Sequence, residues 1–152
     1  MTVAGKLPPD TVVLVIEDDE STRALLTRLL RVAGAAQVVE ATDGCDGLLK
    51  LHQIKPTLVI CDLGMAPVWG ASFLAAMRYC EDRLMASTPA IFFTSTDDPE
   101  AVKTLQSLGV DGVLKKPFNP KGLIEKVEKV AETRHLKVSG SKLGQFSEQK
   151  PE

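Results

Sequence analysis

The strongest constraint on the fold is the stretch Leu58-Val59-Ile60-Cys61-Asp62-Leu63-Gly64-Met65, preceded by Pro56. An unbroken apolar run rich in β-branched residues reads as a strand buried on both faces, as in a parallel sheet. It ends in a carboxylate. In an open α/β sheet, ligands and chemistry gather outside the carboxyl ends of the strands, so Asp62 stands where a reacting group is expected.

The remainder of the chain repeats this strand-then-helix unit. Val12 to Ile16 is a wholly apolar strand, followed by the acidic run Glu17-Asp18-Asp19-Glu20. A helix follows, with Leu25, Leu26, Leu29 and Leu30 at helical spacing and Gly34 placed to end it in a left-handed cap. Gln37 to Glu40 is a short second strand. Asp43-Gly44 opens a helix carrying Leu48, Leu49 and Leu51 that must stop before Pro56. After Asp62, a loop to Gly70 leads to a third helix with Phe73, Leu74 and Met77 on one face.

Pro89 to Phe93 is the fourth strand, ending in Thr94-Ser95-Thr96. Asp98-Pro99 starts a fourth helix with Val102, Leu105 and Leu108, stopped by Gly109. Val113-Leu114 is a brief fifth strand. A fifth helix is capped by Asn119, has Pro120 in its first turn, buries Leu123, Val127 and Val130, and pairs Glu125 with Lys129 outside. Short strands alternating with helices give right-handed βαβ crossovers and a sheet covered on both sides. The expected fold is α/β: a flavodoxin-like, doubly wound, five-stranded parallel sheet in the order 2-1-3-4-5 with five helices. Residues 1–10 read as an N-terminal tail, 11–134 as the folded domain and 135–152 as a flexible C-terminal tail. In that tail Leu143 and Phe146 could share one face of a helix formed on a partner.

At 152 residues, 44% hydrophobic and 25% charged, the chain is enough for one domain with its own core, and too little follows Arg134 for an output domain. A formal charge of −2 gives no general attraction to nucleic acid or to an anionic membrane. No signal peptide or membrane-length apolar run is present, so a cytoplasmic location is expected. Cys45, Cys61 and Cys80 lack disulfide or zinc spacing and read as reduced core thiols. His52 and His135 read as helix-surface residues; Trp69, in the loop after Asp62, reads equally as a lid or as packing.

In the order 2-1-3-4-5 the first and third strands are neighbours. Glu17 and Asp18 then lie beside Asp62, with Thr94 and Lys116 arriving from the ends of strands four and five. Taken singly, each has a plain explanation: acids complementing a helix N-terminus, a cap, a turn residue, a solvated lysine. Four at four successive strand ends are hard to assign to caps. Converging carboxylates raise one another's pKa unless a cation is present, and Mg²⁺, held by carboxylates and a phosphate, is the simplest remedy. Lys116 can offset phosphoryl charge from another side, leaving Asp62 as an in-line nucleophile that forms an acyl phosphate.

Glu17-Asp18, Asp62, Thr94-Ser95 and Lys116-Pro117-Phe118, in this order, resemble the receiver domain of two-component response regulators, of the stand-alone chemotaxis-regulator kind. The resemblance covers roughly Thr11 to Arg134. It implies a signalling phosphoacceptor, not an enzyme in its own right, phosphorylated on Asp62 by a sensor histidine kinase or histidine phosphotransfer protein. It implies Mg²⁺, or Mn²⁺ in its place, bound by Asp18, Asp62 and the backbone carbonyl of Gly64, with Glu17 acting through water. Thr94 would move to the phosphoryl oxygens, Lys116 would pair with the phosphoryl group, Ser95 would leave access open, and the Lys116-Pro117 peptide would be cis. Output would be contact with a downstream protein through the fourth helix, fifth strand and fifth helix, with a phosphorylation-dependent dimer also open.

The sequence departs from the family at three places. Ala66 stands where proline is usual, with Pro67 following; Val113 occupies the aromatic switch position; Gly64 offers no side chain beside the phosphoryl group, with Thr96 the other variable neighbour. A flavin carrier would need a glycine- and hydroxyl-rich phosphate loop where Glu17-Asp18-Asp19 stands. An aspartyl-phosphate phosphatase would place an Asp at Gly64. The remaining alternative is a receiver-like interaction module that signals without phosphorylation.

Overall fold

The computed structural model describes residues 7–65, 69–95 and 99–148, with the side chains of 65, 69, 70 and 135–148 excepted. Five strands, β1 (Val12–Ile16), β2 (Gln37–Ala41), β3 (Leu58–Asp62), β4 (Ala90–Thr94) and β5 (Gly112–Lys115), form one sheet in the order β2-β1-β3-β4-β5. Every pairing is parallel. The helices are α1 (Glu20–Val32), α2 (Gly44–Ile54), α3 (Trp69–Arg78), α4 (Arg83–Ala86), α5 (Pro99–Ser107) and α6 (Pro120–Glu148). The expected sheet order is the observed one.

The apolar strands are continuous because they feed two cores. Val13, Val15, Leu58, Ile60, Ile91 and Phe93 face α1 and α6, where they meet Leu26, Leu30, Leu123 and Val127. The alternate residues Leu14, Ile16, Val59, Cys61 and Phe92 face the other helices and pack on Leu51, Phe73, Leu74, Met77 and Leu105. Side chains on a strand alternate between faces, so a run apolar at both parities is what two covered faces require. Gly34, at φ 105°, ends α1 as expected, with the Ala35 N–H donating to Leu30 O at 3.0 Å.

Three expectations are corrected. There are six helices, because α4, one turn of four residues, intervenes before β4. Its cap Asp82 accepts from the N–H groups of Leu84 and Met85 at 3.0 and 3.2 Å. Glu125 and Lys129 form no ion pair among the described residues. Cys45 is exposed; only Cys61 is fully buried and Cys80 is partly so, and all three are free. Helix α6 continues to Glu148, and its buried residues among the described side chains are Leu123, Val127, Val130 and Ala131. Among the described residues, no helix is long and apolar enough to cross a membrane.

The cap bonds, above all the one from Met85 N–H, hold the Asp82 carboxyl below its ordinary 3.8. A depressed carboxylate pKa adds stability that is complete above the unfolded value and lost as pH falls through the folded one. Asp82→Ala should therefore lower the urea midpoint at pH 6, and the difference from wild type should close as the titration is carried below pH about 3.8.

Gly47 marks the close approach of α2 to β1. A Cβ there would lie 2.6 Å from Ile16 Cδ1 and 3.3 Å from Phe73 Cε1. In an open helix, glycine to alanine gains up to ~1 kcal/mol of propensity. Here Ile16 and Phe73 are both fully buried and have no room to swing aside. Overpacking at ~1–3 kcal/mol should win. Gly47→Ala is expected to be net destabilising in urea titration; an unchanged or raised midpoint would show that α2 can lift off the sheet at little cost.

Candidate phosphoacceptor site

Register brings the polar residues together. Ile16 pairs with both Ala41 and Cys61, Asp62 with Phe93, and Thr94 with Lys115, so the strands finish level. Asp62 and Thr94 are the last residues of β3 and β4, and Glu17 and Lys116 are the first residues beyond β1 and β5. Glu17 leaves β1 with its N–H donating to Ala41 O at 3.0 Å, and Lys116 leaves β5 with its N–H donating to Thr94 O at 2.8 Å.

At the centre, the Lys116 ammonium bridges two carboxylates. Nζ donates to Glu17 Oε1 at 2.9 Å and to Asp62 Oδ2 at 3.1 Å. The other oxygens are also held: Glu17 Oε2 accepts from Asp19 N–H at 3.1 Å and Asp62 Oδ1 from Gly64 N–H at 3.0 Å. Glu17 and Asp62 are buried, while Asp18 is exposed at the mouth. Each of the three offers a carboxylate oxygen within 4.8 Å of the others, a spacing compatible with one cation.

Burial pushes the Glu17 pKa up, and the Asp62 charge adds to this, against the lowering hydrogen bond from Lys116. Burial opposes the Lys116 ammonium, but its bonds to Glu17 and Asp62 outweigh that and hold its pKa above the ordinary lysine value. The negative charge in the cleft exceeds what one lysine offsets, a donor set of hard oxygens that fits Mg²⁺.

Thr94 is buried at the end of β4, and Ser95 is exposed beyond it. A Cβ at Gly64 would lie 3.7 Å from Asp62 Oδ1 and 4.0 Å from Ser95 Oγ, so the approach to Asp62 passes between Gly64 and Ser95. The Lys116-Pro117 peptide is cis. Phe118 stacks on Phe93 with centroids 5.1 Å apart, tying the lysine loop to the sheet. Val113 is half-buried against the core on the side of α2, α3 and α5. Ala66, Pro67 and Thr96, and the side chains of Trp69 and His135, lie outside the described residues; His52 is exposed, with Nδ1 2.8 Å from Leu48 O.

Some of what holds the site was missed from sequence. Asp19 caps α1, accepting from Thr22 N–H at 2.8 Å, so in the acidic run it serves the helix while Glu17 and Asp18 serve the cleft. Arg23 donates to Glu17 O at 2.8 Å and to Glu40 Oε1 at 3.0 Å, joining the ends of β1 and β2. A cation one turn into the helix after an acidic strand end was the available signal.

The fold and site are those of a doubly wound 2-1-3-4-5 α/β domain with three carboxylates and a bridging lysine at the carboxyl edge of its sheet. The sequence matches the response regulator receiver domain over residues 13–128, and the chain belongs to that family. It is 29% identical over 120 residues to chemotaxis protein CheY of Pseudomonas aeruginosa, covering 79% of this chain and 95% of that one. It is 33% identical over 135 residues to the probable transcriptional regulator ycf27 of Guillardia theta, covering 84% of this chain but only 51% of that protein. Among solved structures it is similar to the chemotaxis response regulator CheY4 of Vibrio cholerae, with a TM-score of 0.71 and 30% identity over 80% of this chain and 98% of that one. Receiver domains are signalling phosphoacceptors that bind Mg²⁺ at an acidic pocket and interact with histidine kinases or phosphotransfer proteins and with downstream targets.

Proposed function

We propose that this chain is a single-domain response regulator whose Asp62 accepts a phosphoryl group from a histidine kinase or histidine phosphotransfer protein. The observation that carries the reading is the Lys116 ammonium bonded at once to Asp62 and to Glu17. Asp18, Asp62 and the Gly64 carbonyl would hold Mg²⁺, with Glu17 acting through water. The bound ion supplies positive charge against the phosphoryl oxygens, which an acidic cleft alone would repel.

Asp62 supplies the nucleophile: one carboxylate oxygen forms the new O–P bond as the bond to the donor nitrogen breaks. Gly64 N–H fixes the orientation of the carboxylate before the donor arrives. Lys116 exchanges its bond to Asp62 for one to a phosphoryl oxygen, drawing on the loop that Phe118 anchors. Thr94 contributes its hydroxyl to the same group, and Ser95, being small, leaves the approach open. The phosphoryl group shifts a two-state equilibrium only by its differential contacts with Lys116 and Thr94 in the two states. Output would pass through α5, β5 and α6 to a protein partner.

The testing measurement is intact mass after incubation with acetyl phosphate, with and without Mg²⁺. One phosphoryl adduct that requires Mg²⁺ is expected. With Mg²⁺ bound and the fold intact, absence of the adduct would favour an interaction module that signals without phosphorylation, the reading to which Val113 at the switch position points.

Lys116→Ala leaves Glu17 and Asp62 facing each other with no ammonium between them. Loss of about 1–2 kcal/mol is expected in Mg²⁺-free buffer, largely restored by Mg²⁺. Mg²⁺ binding by calorimetry should survive. The changes in β5 and α6 amide shifts on phosphorylation should not, and their full persistence would remove the role given to the lysine.

A further inference from the structure

At the opposite, amino-terminal edge of the sheet lies a cleft of about 190 Å³ lined by Ser87, Pro89, Asp111, Lys126, Lys129, Val130, Thr133 and Arg134. It opens beside the start of β4 and of β5, the length of a strand away from Asp62, or roughly 17 Å at about 3.3 Å per residue. The acidic site does not reach it.

Its charge is lopsided. Lys126, Lys129 and Arg134 have no carboxylate partner among the described residues. The one acid, Asp111, is already engaged: its Oδ2 accepts from Arg78 Nη2 at 3.2 Å and from Ala90 N–H at 2.8 Å. The three cations thus line the cleft without an ion pair of their own, although Glu125, Glu128 and Glu132 lie on the same helix. The Lys126 stem lies over Gly112, where a Cβ would come 2.5 Å from Lys126 Cε.

The hydroxyls narrow the ligand further. Ser87 Oγ donates its proton to Leu84 O at 3.1 Å, and Thr133 Oγ1 donates to Lys129 O at 2.9 Å. Each thus offers lone pairs, not a proton, and suits a ligand that brings its own hydroxyl donors. Pro89 and Val130 supply apolar wall for a short carbon skeleton. The volume is below the ~300–1,000 Å³ of sites for drug-sized molecules, so the ligand is small. Two ammonium point charges and one guanidinium fork suit a phosphate group.

We propose that this cleft binds a small hydroxylated phosphate ester, with Lys126, Lys129 and Arg134 on the phosphate and Ser87 and Thr133 accepting from the ester's hydroxyls. The test is a ¹H–¹⁵N NMR titration of the full chain in Mg²⁺-free buffer with glycerol 3-phosphate, inorganic phosphate, glycerol, and sodium chloride at matched ionic strength. The expected result is saturable shifts of the amides of Gly112 and of residues 126–134 with glycerol 3-phosphate, at least fivefold weaker binding of inorganic phosphate, and no response to glycerol. The combined substitution Lys126→Gln, Lys129→Gln and Arg134→Gln should weaken ester binding at least tenfold while leaving the spectrum around Asp62 unchanged. Gly112→Ala, which displaces only the Lys126 stem, should weaken it by a smaller factor. Equal affinity for phosphate and ester, shifts that follow ionic strength alone, or shifts confined to the surroundings of Asp62 and Lys116 would overturn the proposal.

Discussion

Asp62→Asn should give no phosphoryl adduct with acetyl phosphate and Mg²⁺, and should do so without loss of fold. The amide has no anionic oxygen to attack phosphorus, so the chemical step has no nucleophile. Its oxygen can still accept from Lys116 or Gly64, so the bonds now made by Asp62 Oδ1 and Oδ2 are only partly lost. The electrostatic change is favourable in the absence of metal, because Lys116 then serves one buried carboxylate instead of two. Burial keeps the Glu17 pKa raised, but the contribution of the Asp62 charge disappears.

The sign follows from linkage. A carboxyl group whose folded pKa is raised favours the folded state at low pH and loses that advantage as pH rises through the folded value. Relaxing the shift reduces the loss, so Asp62→Asn should match or exceed wild type in urea midpoint at pH 7 without Mg²⁺. Mg²⁺ affinity should fall at least tenfold, about 1.4 kcal/mol, with one ligand gone. Calorimetry, denaturation and intact mass read the three effects separately. A residual Mg²⁺-dependent adduct on the variant would move the acceptor to Asp18 or Glu17.

The sheet and the acidic site share a physical reason for being legible in sequence. Strands covered on both faces must be apolar at both parities, which makes Val12–Ile16 and Leu58–Cys61 conspicuous, and a polar residue ending such a run is pushed to one edge by the parallel register. Glu17, Asp62, Thr94 and Lys116 are therefore ordered by topology before any side-chain packing is considered. Helix α4 escaped notice because one turn leaves no periodicity: of its four residues only Met85 is buried. Cys45 looked like core because α2 carries leucines, yet it lies on the outer face of the first turn. Lys129 satisfies the spacing for a pair with Glu125 but lines the cleft at the far edge of the sheet instead. Spacing sets which partners are within reach, while the surrounding surface decides which is taken.

Arg78 is the strongest instance of a residue that no local pattern announces, and its replacement should be the most costly to stability. From the last position of α3, Nε donates to Leu108 O at 3.0 Å, Nη1 to Ala86 O at 3.0 Å and Thr88 O at 2.7 Å, and Nη2 to Gly109 O at 2.9 Å. Nη2 also reaches Asp111, which in turn accepts from Ala90 N–H. One guanidinium thus gathers the ends of α4 and α5 and the start of β4. Burial holds its pKa below the ordinary arginine value, an effect that Asp111 only partly opposes, and the group remains charged. Arg78→Met retains the apolar stem but strands these carbonyls and leaves Asp111 without its cation. The expected cost is about 3 kcal/mol, or roughly 6–12 °C in Tm for a chain of this size. Arg78→Lys should recover only a minor part, since three donors on a point charge cannot span acceptors arranged around a planar fork. A Tm within about 2 °C of wild type for Arg78→Met would mean that water replaces the fork at little cost and that α3, α5 and β4 are held by their apolar contacts alone.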